Sequence, residues 1–371
     1  MRILRISQHL YPDVTGGMPY HVHAMSRDQV SRGHDVTVVT VSNEEDLPPR
    51  EERSGYEIIR CKPHLELLGN EISYDVWRHL KNEGNYDVVH AHSHYYFSTN
   101  LAALRRRLSE VRLAITNHGL YSQSAPRRIF MVYLYSLGRA TFNSADLVFC
   151  YTEEDKKRVL DLGVNTPVEV VPNGVDTKRF TPEGSTSSLI RNEGFNVLFV
   201  GRLVKGKRPK DAIDAVSELS KDVDVKLYLC GNGPLRTDLK EYVTANGWEN
   251  TVEFLGELGY DKMPPLYRSA DALLLTSEAE GVPRTVLEAL ASGLPVLTSD
   301  LEQVRSVIAS DHSTVPVGDI EGFAEKLKEL SMRPNDCEMF SNLNRIRERY
   351  SWEKTVDETT EVLERLVDDT S

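Results

Sequence analysis

Cysteine is scarce in this chain: Cys61, Cys150, Cys230 and Cys337 are all there is. They lie far apart and form no Cys-x-x-Cys pair. That argues against a zinc ribbon or a disulfide framework and leads us to expect a reducing, cytoplasmic setting. Long hydrophobic runs are missing too. No stretch reaches the roughly 18 apolar residues of a membrane-crossing helix. The opening MRILRIS runs straight into a strand-like pattern without the apolar centre of a secretion signal. Positive charge is in deficit: 44 Lys and Arg face 56 Asp and Glu, a net charge of −12. Such a surface repels polyanions, so no nucleic-acid partner is expected. Low-complexity segments are absent. So is Gly-x-Gly-x-x-Gly, which weakens a nicotinamide-dinucleotide reading. What remains is 371 residues, 40% hydrophobic and 27% charged. That is a globular chain of a length that suits two domains.

Short β-rich runs alternate with helical patterns. Strands are expected at 2–7, 36–41, 87–92, 112–116, 146–151 and 168–172. Helices at about 19–32, 72–83, 97–109, 127–143 and 153–162 separate most of them. The cycle restarts with strands at 196–201, 226–231, 252–256, 272–276 and 295–299. The fold class is therefore α/β, with two Rossmann-like, doubly wound parallel-sheet domains. We expect an N-terminal domain over 1–175, a polar linker over 176–194 and a C-terminal domain over 195–350. A terminal helix over 351–371 is expected to pack back on the first domain. Open parallel sheets bind ligands outside the carboxyl ends of their strands, so a cleft between the domains is the expected site.

The richest stretch is Ser277–Pro295, SEAEGVPRTVLEALASGLP. Glu280 in a turn and Glu288 in the following helix suit a hydroxyl-rich ligand, because a carboxylate accepts several hydrogen bonds. The turn amides and the helix N-terminus favour an anion. An ordinary strand-to-helix connection would look the same from this stretch alone. Gly16-Gly17 follows the first strand and opens a helix, where the backbone can approach phosphate. Arg202 and Lys207, in Gly201-Arg202-Leu203-Val204-Lys205-Gly206-Lys207, put cations at the end of a strand, and Arg202 can grip phosphate through two parallel bonds. Cations at a helix start oppose its dipole, which hints at an anionic ligand. His118, in AITNHGLY, follows a strand. His90, His92 and His94 alternate and would share one face of a strand. No second ligand group supports a metal there, and none is expected. Asn173-Gly174 and Gly231-Asn232-Gly233-Pro234 read as turns.

In order and spacing, PDVTGGMPYHV, SRGHDVTVVT, YDVVHAH, ITNHG, PNGVDTKRF, VGRLVKGK, GNGP, the Glu-x7-Glu element and SWEK resemble the retaining nucleotide-sugar glycosyltransferases of family 4, with the GT-B fold. The resemblance covers nearly the whole chain. It implies a hexosyltransferase that uses a UDP- or GDP-sugar as co-substrate, needs no metal, and serves a glycan or lipid-linked acceptor. Arg202 and Lys207 match the donor-diphosphate cations. Glu288 matches the ribose carboxylate and Glu280 the carboxylate near the anomeric centre. Val282, Arg284 and Thr285 match turn amides at the donor, Gly16 and Gly17 the phosphate loop, and His118 a histidine near the donor sugar. The family's displacement occurs on one face, with the leaving phosphate taking the acceptor's proton. Three places depart. Gly281-Val282-Pro283 replaces a common Gly-Phe-Gly, and Pro283 lacks an N–H. Glu302, Gln303 and Ser306 stand where a Gly-Gly…Glu element is usual. Arg208 follows Lys207, so Lys205 is an alternative match. Other readings are an epimerase of the same fold, a non-catalytic nucleotide-sugar-binding protein and, with least support, a dehydrogenase. Acceptor choice is expected in 42–55 and 117–128. The segment 125–140, with basic ends around apolar residues, reads as a helix packed on the sheet or as a peripheral contact with the inner membrane face.

Overall fold

The computed structural model describes residues 1–368 except 45, 68, 82–85, 122–125, 309–312 and 333–335. The chain divides into two compact units, residues 1–172 joined by those from Thr355 onward, and Asn173–Lys354.

The first unit is built on an eight-stranded sheet. Its parallel strands run 168–170, 147–150, 112–116, 88–92, 2–6, 35–41 and 56–61, with 50–53 antiparallel on the edge. The order reverses between 2–6 and 88–92, the switch point where such sheets open a crevice. The strand Asp35–Val41 is buried at all but its first residue, and its run of Val and Thr suits a strand covered on both faces. One face holds Leu4, Ile6, Val89 and Ile115 against Phe142 and Val159. The other holds Ile3, Val36, Val38 and Ile58 against Val362 and Leu363 of the terminal helix.

Two expectations for this unit change. The end of the proposed acceptor loop 42–55 is a strand, Arg50–Arg53, turned onto Tyr56–Cys61 through Ser54 (φ 52°) and Gly55 (φ 84°). Two left-handed residues in a row match the twist of a hairpin. The single helix expected over 127–143 is Arg127–Tyr133, a π-helical turn Leu134–Gly138 and Arg139–Phe142. Residues 122–125 of the second proposed acceptor loop lie outside the described residues.

The second unit repeats the order: 252–256, 225–230, 195–200, 272–275, 296–299 and 314–315, all parallel. Its switch point lies between 195–200 and 272–275. Leu203 N–H donates to Asn232 O (2.8 Å), pinning the loop after 195–200 to the one after 225–230. A Cβ on Gly231 would lie 2.0 Å from Gly201 O, and one on Gly233 2.6 Å from Leu203 O, so both positions need glycine. Residues 176–194, expected as a polar linker, cluster with this unit. Phe180 is fully buried against Tyr260 and Tyr267, and Arg268 donates to Thr181 O (3.2 Å) and Ser185 O (2.8 Å). No helix among the described residues is long and apolar enough to cross a membrane.

Candidate functional site

Two loops leave the switch point of the second sheet and are tied together. The first, after 195–200, carries Gly201, an exposed Arg202 and a one-turn 3-10 helix, Lys205–Lys207. Arg208 takes a left-handed conformation (φ 48°) before Pro209 opens the next helix. The second loop runs from Thr276 to Pro283. Glu278 N–H donates to Gly206 O (2.9 Å), and Thr276 Oγ1 to Arg208 O (2.8 Å). Lys207 Nζ makes an ion pair with Glu280 Oε1; the two side chains are only 14% and 4% exposed. Lys205 points to solvent. The short 3-10 turn thus separates the two lysines that the sequence left as alternatives.

Pro283 is the N-cap residue of the helix Arg284–Ala291. Its missing N–H therefore removes no helical bond, which accounts for a proline here. Val282, Arg284 and Thr285 lie at this N-terminus, where the first amides of a helix have no intrahelical acceptor. Ser277 Oγ, Thr285 Oγ1 and Ser299 Oγ, all at the carboxyl edge of the sheet, are buried and have no hydrogen-bond partner among the described residues.

One turn into that helix, Glu288 is 4% exposed. Its Oε1 accepts from Tyr260 Oη (2.9 Å) and its Oε2 from Tyr267 Oη (3.0 Å). Arg284 Nε stands 3.6 Å away. Arg284 also donates to Tyr260 Oη (3.1 Å) and Gly174 O (3.4 Å) and stacks over Trp352. Burial holds the Glu288 carboxyl above the usual range, against the pull of Arg284, the two tyrosines and Arg179. Burial and the neighbouring carboxylate push the Tyr267 hydroxyl well up.

In the first unit, Gly16 caps the helix Gly17–Ser31. His118 lies past the strand 112–116 and both its ring nitrogens are engaged: Nε2 with His92 Nδ1 (3.0 Å) and Nδ1 with Tyr151 Oη (3.0 Å). His21 packs edge-on against His92, His118 and Tyr151. His90 bridges Thr116 Oγ1 (2.8 Å) and Arg5 Nη2 (3.4 Å). A guanidinium can only donate, so His90 Nδ1 accepts and Nε2 carries the proton. Burial lowers His118 and His94 to about 3, and His90 and His92 well below their ordinary value. The rings are neutral at physiological pH.

The three alternating histidines do not share one face. The strand stops at His92, and Ser93 turns left-handed (φ 66°). His94 then packs with Phe130, Tyr133 and Phe142, away from the cluster. No group of three His, Cys, Asp or Glu side chains among the described residues is placed to hold a metal ion. The sequence reading missed Tyr260 and Tyr267, and with them Tyr151 as the partner of His118. Each meets its partner across 21 to 33 residues, a separation that no local pattern signals.

Residues 15–179 match the family described as Glycosyltransferase Family 4, and residues 181–347 match Glycosyl transferases group 1. An uncharacterized glycosyltransferase of Methanocaldococcus jannaschii is 26% identical, over 98% of this chain and 97% of its own length. The UDP-Gal:alpha-D-GlcNAc-diphosphoundecaprenol alpha-1,3-galactosyltransferase of Escherichia coli is 27% identical, over 71% of this chain and 72% of its own. Among solved structures, Anabaena HepE in complex with UDP and glucose superposes with a TM-score of 0.79 at 18% identity, covering 98% and 100% of the two chains.

Proposed function

The chain belongs to glycosyltransferase family 4, with the GT-B fold, and on that premise we propose a retaining, metal-independent hexosyltransferase that uses a UDP- or GDP-sugar and a glycan or lipid-linked acceptor. The observation that carries this reading is the carboxyl edge of the second sheet. There, buried Glu280 and Glu288 each face a cation, near buried hydroxyls that have no partner among the described residues. Such a site is polar and buried, which suits a sugar nucleotide. The names of the relatives favour the same chemistry: one acts with UDP-Gal on a diphosphoundecaprenol-linked sugar, and another binds UDP and glucose.

In this mechanism Arg202 and Lys207 stabilise the leaving diphosphate. Its negative charge grows as the glycosidic bond breaks, so fixed cations lower the transition state more than the ground state. Lys207 then divides its charge between Glu280 and the phosphate. Glu280 faces the sugar near its anomeric carbon, and Glu288 holds the ribose hydroxyls. The amides of Val282, Arg284 and Thr285 take the donor's oxygens, and Gly16-Gly17 approaches the phosphates. His118 reaches a sugar hydroxyl by exchanging one of its two hydrogen bonds. The leaving phosphate accepts the acceptor's proton, so no protein nucleophile is required.

Thermal stabilisation by a panel of UDP-, GDP- and ADP-sugars identifies the donor. Arg202→Ala should then lower kcat on the order of 10²–10³-fold. NMR of the product should show the donor's anomeric configuration kept, and chelator should leave the rate unchanged. An inverted product or a chelator-sensitive rate would refute the respective part.

We place the enzyme in the cytoplasm, with peripheral attachment to the inner membrane face. The segment 127–138 supports attachment: Ile129, Met131, Val132, Tyr135 and Leu137 are all exposed on it, Val132 at 72%. Sedimentation with anionic vesicles at low salt should retain the protein, and Val132→Asp should release it. Wild-type protein left in the supernatant would remove this element.

A further inference from the structure

The second unit gives Glu288 an environment that the resemblance does not account for. Both carboxylate oxygens are already engaged, one by each of two tyrosines that come from the same region of chain. Tyr260 belongs to a 3-10 turn, Tyr260–Lys262, and Tyr267 to the following helix, Met263–Ser269. The direction of one bond is fixed by proton accounting. Tyr260 Oη lies 3.1 Å from Arg284 Nη2, which can only donate, so the tyrosine oxygen accepts there. Its single hydrogen is left for Glu288 Oε1.

The surroundings lock this arrangement. Arg179 lies over the Tyr260 ring at 4.6 Å, Phe180 packs edge-on against both tyrosine rings, and Tyr267 is fully buried. A carboxylate offers about four lone-pair positions, two on each oxygen. With one on each oxygen filled by a tyrosine, the carboxylate cannot rotate freely, and each oxygen keeps one lone pair for a further donor, Arg284 Nε standing 3.6 Å from Oε1, beyond hydrogen-bond distance.

Resting on the reading of Glu288 as the ribose carboxylate, we propose that Tyr260 and Tyr267 are positioning residues that orient Glu288 to accept the 2′- and 3′-hydroxyls of a ribose together, making the site selective for ribonucleoside diphosphate sugars over deoxyribonucleoside diphosphate sugars. A deoxyribose supplies only the 3′-hydroxyl. One buried carboxylate oxygen then stays short of a donor, and sites built to hydrogen-bond a hydroxyl reject the analogue that lacks it. Without the tyrosines the carboxylate can turn to the single remaining hydroxyl, and selectivity falls.

The test is calorimetry on the full-length protein with UDP and GDP, each against its 2′-deoxy form. Wild type should bind the preferred ribonucleotide at least about 10-fold tighter than its deoxy form. Tyr260→Phe and Tyr267→Phe should each reduce that ratio by roughly 3- to 10-fold. Arg202→Ala should weaken both nucleotides and keep the ratio. Glu288→Gln should bring the ratio near one. If Glu288→Gln retains the wild-type ratio, the ribose reading of Glu288 is wrong and the proposal goes with it. If Glu288→Gln removes the ratio while both tyrosine variants keep it, Glu288 stands and the tyrosines are packing only. Should buried Tyr267→Phe lower the melting temperature too far, half-buried Tyr260→Phe decides alone. A wild-type protein with no ribo preference overturns the proposal outright.

Discussion

At the scale of single residues, the Lys207–Glu280 pair governs what the site can do. Both side chains are largely out of water and pair with each other. Removing one partner leaves a buried charge uncompensated, which costs about 3–5 kcal/mol, far more than the net worth of the pair. Lys207→Ala and Glu280→Ala should therefore each destabilise by an amount of that order in urea unfolding. The double variant should cost clearly less than their sum. Strict additivity would mean that the two groups do not share one desolvated environment. Lys205→Ala, at an exposed position, should stay within about 0.5 kcal/mol of wild type. This distinction was not legible in the sequence. VKGK offers two lysines two residues apart, and the side chain that turns inward is decided by a 3-10 turn and by Glu280, 73 residues further on. Glu288 was legible as a carboxylate near a helix start, whereas its two tyrosine donors were not. They come from elements that look like an ordinary turn and helix.

At the scale of elements, the parallel strands were the most legible part, because runs such as DVTVVTV and DVVHAH are apolar or β-branched and sit between helical patterns. The hairpin Arg50–Arg53/Tyr56–Cys61 was less so, since REER carries charge on an edge strand where solvent tolerates it. The strand Val88–His92 brings a consequence of its own. Its two histidines, with His94 and His118 from the loops beyond, are buried neutral. Their folded pKa values are depressed, to about 3 for His94 and His118, against about 6.5 in the unfolded chain. Between those values the unfolded state binds more protons, so stability falls as pH drops below about 6.5. Each such histidine contributes a slope of up to about 1.4 kcal/mol per pH unit in that window. Of the 11 histidines, all but His312 precede residue 173, so the loss should concentrate in the first unit. Hydrogen exchange followed peptide by peptide from pH 7.5 to 5.0, corrected for intrinsic rates, should show the first unit losing protection before the second. Parallel loss in both units would contradict this.

At the scale of the whole molecule, the repeated α/β cycle was readable because each half carries its own set of short apolar strands. The way the chain is shared between the halves was not. Residues 176–194 look like a linker by composition, yet Phe180 and the carbonyls of Thr181 and Ser185 are held by residues 80 or more positions away. The end of the chain, in turn, completes the first unit. Val356 and Leu363 of the helix Trp352–Asp368 are fully buried, and Val362 nearly so. Thr360 Oγ1 accepts from Gln29 Nε2 (2.9 Å), and Gln29 in turn accepts from the buried Arg5 (2.6 Å). Thr355 Oγ1 donates to Pro172 O (2.8 Å), where the chain leaves the unit for the first time. The first unit therefore cannot fully bury one face of its sheet until the helix Trp352–Asp368 has been made. Leu363→Ala should cost it about 2–5 kcal/mol, through lost transfer energy and the cavity left behind. A chain ending at Lys354 should lose much more, because the apolar face of Ile3, Val36 and Val38 is then open to water. Limited proteolysis distinguishes local from global damage. Cleavage should map to residues 1–172, while Asn173–Lys354 survives as a resistant fragment. A truncated chain whose first unit stays resistant would show that the terminal helix covers this face without being needed to hold it together.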